Sequence, residues 1–291
     1  MRLGFMASEG GGESGTSFPE YLGHHLKNLT NKPQEGSFDL STIHLDTVFF
    51  SILSGAIVIF LLLRAAKRAT TGVPGKFQTA VEMLVDFVHG EAKSMIHGKL
   101  DYIAPLALTV FCWVAMMNAI DLIPVDWFPK LAEMAGFHYL RPLPTADMNG
   151  ALGMSVGVLL ISIYYIFKIK GAGGFAHDLF AGHFALPKLG INPAIWLAII
   201  GLIAANLLLG LEGLLAPTLS HGIRIYGNMY AGELVFFLIN GLNGTSNPLL
   251  WLLGLAVGTG WALFHILIVL LQAYVFMMLT LVYVGRGYQH H

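Results

Sequence analysis

Apolar and polar positions alternate in long blocks along this chain. The first apolar block covers 45–63 and is closed by Arg64, Lys67 and Arg68; the second covers 103–123, with Asp121 near its end and Pro124 behind it. A third covers 149–169 and ends on Lys168 and Lys170. About 20 apolar residues in helical form cross a hydrocarbon core of roughly 30 Å, so each block predicts one membrane-spanning helix. Between the first two lies a stretch of another kind. Phe77, Val81, Leu84, Val85, Val88, Ala92 and Met95 recur on one helical face, while Glu82, Asp86, Glu91 and Lys93 occupy the other. That pattern predicts an amphipathic helix over 77–96, opened by Pro74 and lying along a membrane surface rather than through it.

The last third is longer than a bilayer requires. Apolar stretches over 192–240 and 249–284 flank a polar turn, Asn240-Gly-Leu-Asn-Gly-Thr-Ser-Asn-Pro248. As continuous helices they would measure roughly 74 and 54 Å. Either the first breaks into two upright spans, for which Pro217 is the obvious place, or both run steeply tilted as a hairpin. Ordinary spans tilt by about 20° on average, which favours the break. Counting crossings then leaves the C-terminus outside, whereas a hairpin leaves it, with Arg286, inside.

Composition agrees with lipid as the main solvent. Charged residues make up 11% of the 291-residue chain and hydrophobic ones 55%, and the mean hydropathy is +0.67. Soluble domains carry about 25% charge. The net charge of -1 gives nucleic acid nothing to bind, and one cysteine, Cys112, cannot form an internal disulfide. Residues 7–45 are Gly-, Ser- and Asn-rich and carry no apolar core of a signal peptide, so 1–44 reads as a polar N-terminal segment ahead of one membrane domain, 45–291. Basic clusters after the first span and around the third (Lys168, Lys170, Lys188) place those ends in the cytoplasm and the N-terminus outside. The 124–148 loop, with Lys130 and Arg141, is then external.

Only Glu212, Arg224 and Glu233 are formally charged between 192 and 285. An arginine at the bilayer centre costs at least about 2.5 kcal/mol, so Arg224 reads as buried and functional, against the plainer reading of a side chain snorkelling from a span end near Pro217. At 100° per residue, Ser220, Gly227, Asn228 and Ala231 lie within about 60° of Arg224, a face small enough for another helix to approach closely. Glu233 points the opposite way, so the two are not a salt-bridged pair. On the last helix His265 and Gln272 share a face with Gly258 and Trp261. Asn206 reads as packing glue or a second polar position, and Glu212 as a further carboxylate near the path. Arginine stays protonated and cannot pass a proton on, whereas glutamate and histidine can. A fixed cation among titratable groups suggests electrostatic gating of an ion.

The stretch Ile223-Arg-Ile-Tyr-Gly-Asn-Met-Tyr-Ala-Gly-Glu-Leu234 resembles the signature of subunit a of bacterial F-type ATP synthases, closest to the proteobacterial branch. Pro74–Glu82, Met117–Pro124, Leu143–Asn149 and Trp261–Ile268 resemble the same family in order, and Tyr21–Leu26 fits its N-terminal segment. The resemblance implies an all-α integral membrane stator subunit, with about five crossing helices, one surface helix and a steeply tilted final hairpin. It implies a place in the inner membrane with the C-terminus cytoplasmic. Its partners would be the c-subunit ring, the b-subunit stator stalk and the rest of the complex, with no cofactor or metal. Arg224 would face the ring carboxylate between two proton half-channels. Glu233, His265, Asn228 and Gln272 would line the periplasmic one, and Glu212 and Ser220 would lie toward the cytoplasmic one. Ala216-Pro217 and His221 depart from the family pattern; His221 reads as an extra titratable group or a local hydrogen-bonding substitution. A self-contained secondary transporter would show internal repeats, which are absent here. A haem-binding subunit would need paired axial histidines, and only His221 and His265 stand in apolar segments.

Overall fold

The computed structural model describes residues 28–32, 42–96, 100–123, 127–128, 134, 140–185, 193–243 and 247–288. The Tyr21–Leu26 segment, Pro124, Lys130, Lys188 and most of the 124–148 loop lie outside them. Within the described residues there are six α-helices: α1 (Leu45–Lys67), α2 (Lys76–Met95), α3 (Ile103–Ala119), α4 (Met148–Ala181), α5 (Pro193–Asn243) and α6 (Pro248–Gly285). All but α2 are long and apolar enough to cross a membrane. The protein is an all-α, multi-pass membrane protein.

Local chemistry explains the helix ends. Asp147 caps α4 by accepting from the Asn149 backbone N–H at 3.1 Å, and Asn247 caps α6 by accepting from Leu249 N–H at 3.0 Å, with Pro248 in the first turn. α2 is the amphipathic helix the pattern predicts. Val88 and Ala92 are buried and pack with Ile96 against Ile103, Ala107, Met277, Leu281 and Val284 of α3 and α6. Phe77, Val85 and Met95, on the flank of that stripe, remain exposed.

α4 runs on past the lysines of the third apolar block to Ala181 only across a kink: Gly171, directly after Lys170, has φ +72 and ψ 173, so two helical stretches meet there. That backbone region is open almost exclusively to glycine and costs other residues about 1–3 kcal/mol. Gly171→Ala is therefore expected to destabilise the detergent-solubilised chain by about 1–3 kcal/mol. Gly173→Ala, with open space around its Cβ position, should leave thermal unfolding nearly unchanged. Equal melting shifts for the two would refute the strain.

α5 does not break. It runs from Pro193 to Asn243 with Pro217 inside it, about 76 Å of helix, and α6 adds about 57 Å. Of the two alternatives left open by the local pattern, the long hairpin is the observed one, and α5 is not broken at Pro217. Asn206 is glue: its side chain accepts from Phe184 N–H at 2.7 Å and donates to the Phe180 and Phe184 carbonyls at 2.9 Å each, tying the end of α4 to α5. Gly222 lets α4 and α5 touch, since a Cβ there would stand 2.8 Å from Leu152 Cδ2 and from Ser155 Oγ. The main core gathers Val110, Val114 and Met117 of α3, Ala151 and Val158 of α4, Ile225 of α5 and Ala273, Phe276 and Tyr283 of α6.

Candidate functional site

Two opposite faces of α5 carry the candidate residues. The inner face presents His221, Gly222, Ile225, Met229, Gly232, Glu233 and Phe237, all buried. Ser220, Ile223, Arg224, Gly227, Asn228 and Ala231 form an outer face that is exposed. Arg224 is thus not buried within its own chain. Helical geometry turns it away from α4 and α6, and among the described residues it has no hydrogen bond or ion pair. Ile223, its chain neighbour on the same exposed face, is apolar and exposed as well. A Cβ built on Gly227 would meet nothing within 4 Å beyond its own stretch of helix among the described residues. A permanent cation exposed on a membrane-crossing helix is costly unless an anionic partner covers it.

Glu233 points inward, as the helical angle predicts, and finds a partner that sequence analysis missed. Arg141 makes a two-pronged contact with it: Nε donates to Oε1 at 3.4 Å and Nη2 donates to Oε2. Both side chains are buried, at 7% and 6% exposure. The guanidinium also lies 5.5 Å over the Tyr230 ring. Its main chain is held by Asp46, whose carboxylate accepts from the backbone N–H of Leu29 (2.9 Å), Thr47 (2.8 Å) and Arg141 (3.2 Å). Nearby, Asp147 Oδ2 accepts from Thr47 Oγ1 and lies 2.8 Å from His44 Nδ1. The start of α1 is thereby a polar anchor for the segment that carries Arg141.

His265 also has a buried acidic partner. Its Nε2 is 2.6 Å from Asp121 Oδ2, while its Nδ1 is buried without a partner. The ring fits because residue 232 is glycine: a Cβ there would fall 2.2 Å from His265 Cε1. Asp121 had appeared only as an interruption of the second span. An acid at the end of an apolar run is itself the signal that could have found it.

Asn228 joins the two faces. Its Nδ2 donates to Gln272 Oε1 at 2.7 Å, and Gln272 Nε2 is buried without a partner. Both amide atoms of Asn118 and the Thr145 hydroxyl are likewise buried and unpaired among the described residues. Buried polar atoms normally find a partner, and water is the usual one where protein supplies none. Arg141–Glu233, Asp121–His265 and Asn228–Gln272 therefore form a polar seam along α5 and α6, completed by the turn after α3 (Asp121) and the segment before α4 (Arg141). It reaches the outer face one helical turn from Arg224.

The remaining predicted residues do not join this seam. Glu212 and Ser220 are exposed and make no hydrogen bond or ion pair among the described residues. His221 is completely buried, stacked on Phe276 with ring centroids 3.8 Å apart, and neither ring nitrogen has a hydrogen-bond partner among the described residues. The expected local hydrogen bond of His221 is absent because its side chain faces the aromatic surface of α6.

A family profile described as ATP synthase A chain matches residues 48–285. Similar proteins include "ATP synthase subunit a" of Acidovorax sp. (strain JS42), 46% identical over 94% of this chain and 96% of the relative. The protein of the same name from Glaesserella parasuis serovar 5 is 46% identical over 94% of this chain and 98% of the relative. That from Pasteurella multocida is 46% identical over 92% and 95%.

Proposed function

The chain belongs to the ATP synthase A chain family, a membrane-sector subunit of the ATP synthase complex, and from that premise we propose that it is the stator that carries protons to and from a ring of c subunits. The observation that carries the proposal is Arg224, exposed on the small-residue outer face of α5 without a hydrogen bond or ion pair among the described residues, one turn from a buried polar seam. An arginine there needs an anion, and a ring carboxylate passing across the face supplies it. The small residues Ser220, Gly227 and Ala231 leave room for that approach.

Each group then has a role. Arg224 holds a permanent positive charge that forces the facing carboxylate to release its proton and blocks direct passage between the two half-channels. Glu233, His265, Gln272 and Asn228, with Arg141 and Asp121 as the partners of the first two, line the half-channel open to the periplasm. Protons would move along titratable side chains and the waters that their unpaired neighbours require. Ser220 and Glu212 lie on the cytoplasmic side of Arg224, and His221 is a buried neighbour rather than a carrier. The chain sits in the bacterial inner membrane with its N-terminus periplasmic and its C-terminus cytoplasmic, alongside the b-subunit stalk. A self-contained transporter finds no support among the relatives, and a site that opens outward is incomplete without a second chain.

The test is a cysteine crosslink. Asn228→Cys, on the outer face, should crosslink to cysteines on the outer helix of the c subunit in intact membranes. Met229→Cys, buried on the inner face, should not. Efficient crosslinking from Met229 alone would overturn the orientation.

A further inference from the structure

A proline inside a helix removes one backbone donor and leaves the carbonyl four residues earlier unpaired. For Pro217 that carbonyl belongs to Gly213. Here the Gly213 oxygen accepts from Arg286 Nη1 at 2.7 Å. Arg286 opens the short 3-10 turn Arg286–Tyr288 at the end of α6, and its guanidinium lies 5.3 Å over the Tyr283 ring. Tyr283 in turn meets His221 edge-on, with centroids 6.2 Å apart, and His221 stacks on Phe276. The contacts thus run without a gap from the end of α6 to the residue three positions before Arg224.

We propose that Arg286 is a positioning residue for Arg224: its guanidinium replaces the hydrogen bond that Pro217 cannot make and thereby sets the direction of the helical segment presenting Arg224. The inference rests on the reading of Arg224 given above. A guanidinium suits the task because it donates a charge-assisted hydrogen bond while stacking on an aromatic ring. Pro217 lies about two turns before Arg224, so a bend at the unpaired carbonyl would move the arginine relative to any partner facing it.

A double-mutant cycle decides the matter, measured as ATP-driven proton pumping per assembled complex in inverted membrane vesicles. Arg286→Ala is expected to lower pumping roughly ten- to a hundredfold, the scale of one hydrogen bond to a charged group. Pro217→Ala restores a backbone N–H for Gly213, so adding Arg286→Ala to it should change the rate by less than about twofold. Arg286→Lys should recover part of the loss, since it keeps the donor and not the stacked plane. Equal losses from Arg286→Ala in both backgrounds, or no loss in the Pro217 background, overturn the proposal. If Arg286→Ala prevents assembly, the amount of complex becomes the reading: recovery by Pro217→Ala supports the inference, and no recovery overturns it. Arg224→Ala serves as the reference. Pumping that survives it overturns the functional reading together with this inference, whereas pumping that is lost there but indifferent to the cycle overturns this inference alone.

Discussion

Arg224→Ala is expected to abolish ATP synthesis and ATP-driven proton pumping while the complex still assembles. The fall should be at least about a hundredfold, the scale on which removing one preorganised electrostatic group acts. Assembly should survive because the side chain lies exposed on the outer face of α5 and no described residue depends on it for a hydrogen bond. The loss follows from its chemistry. No other charge stands within two turns of Arg224 on α5, so no neighbour can replace it. Passive proton permeability of the membrane should rise at the same time, because the fixed charge is also the barrier between the half-channels. Arg224→Lys should recover little. An ammonium loses its proton readily when desolvated, and it lacks the guanidinium's planar fork. The measurement is quenching of a pH-sensitive dye in inverted vesicles, normalised to the amount of complex. Pumping at the parental rate would remove Arg224 from the site.

The second large effect concerns the buried Arg141–Glu233 pair. Arg141→Met leaves Glu233 buried without its counter-charge, and breaking a buried pair from one side typically costs about 3–5 kcal/mol. A lower melting temperature of the solubilised chain and a strong loss of pumping are both expected. Combining Arg141→Met with Glu233→Met removes both charges, and apolar replacement of a whole buried pair is often neutral or stabilising. The double variant should therefore recover most of the thermal stability. It should not recover pumping, because the titratable carboxylate is gone. Those two readings separate the pair's structural part from its part in proton movement. A double variant that pumps like the parent would show that Glu233 carries no protons.

The sequence by itself determined what local patterns can carry. Helical spans, the amphipathic α2 and the opposite directions of Arg224 and Glu233 all follow from hydropathy and a period of 3.6, which relate a residue to neighbours a few positions away. The small-sided face around Arg224 was legible for the same reason. Tertiary structure alone decided the partners. Glu233 meets Arg141 across 92 positions and His265 meets Asp121 across 144, distances over which no periodicity carries information. Packing alone also settled the two ambiguities of α5. The helix passes Pro217 unbroken, and the carbonyl that the proline leaves open takes a donor 73 residues away. Arg224 turned out to face outward because α4 and α6 occupy the other side of its helix. The physical reason is common to all of these. A single helix specifies which side chains share a face, and only the packing of other helices against it decides which faces are buried and what charge completes each site.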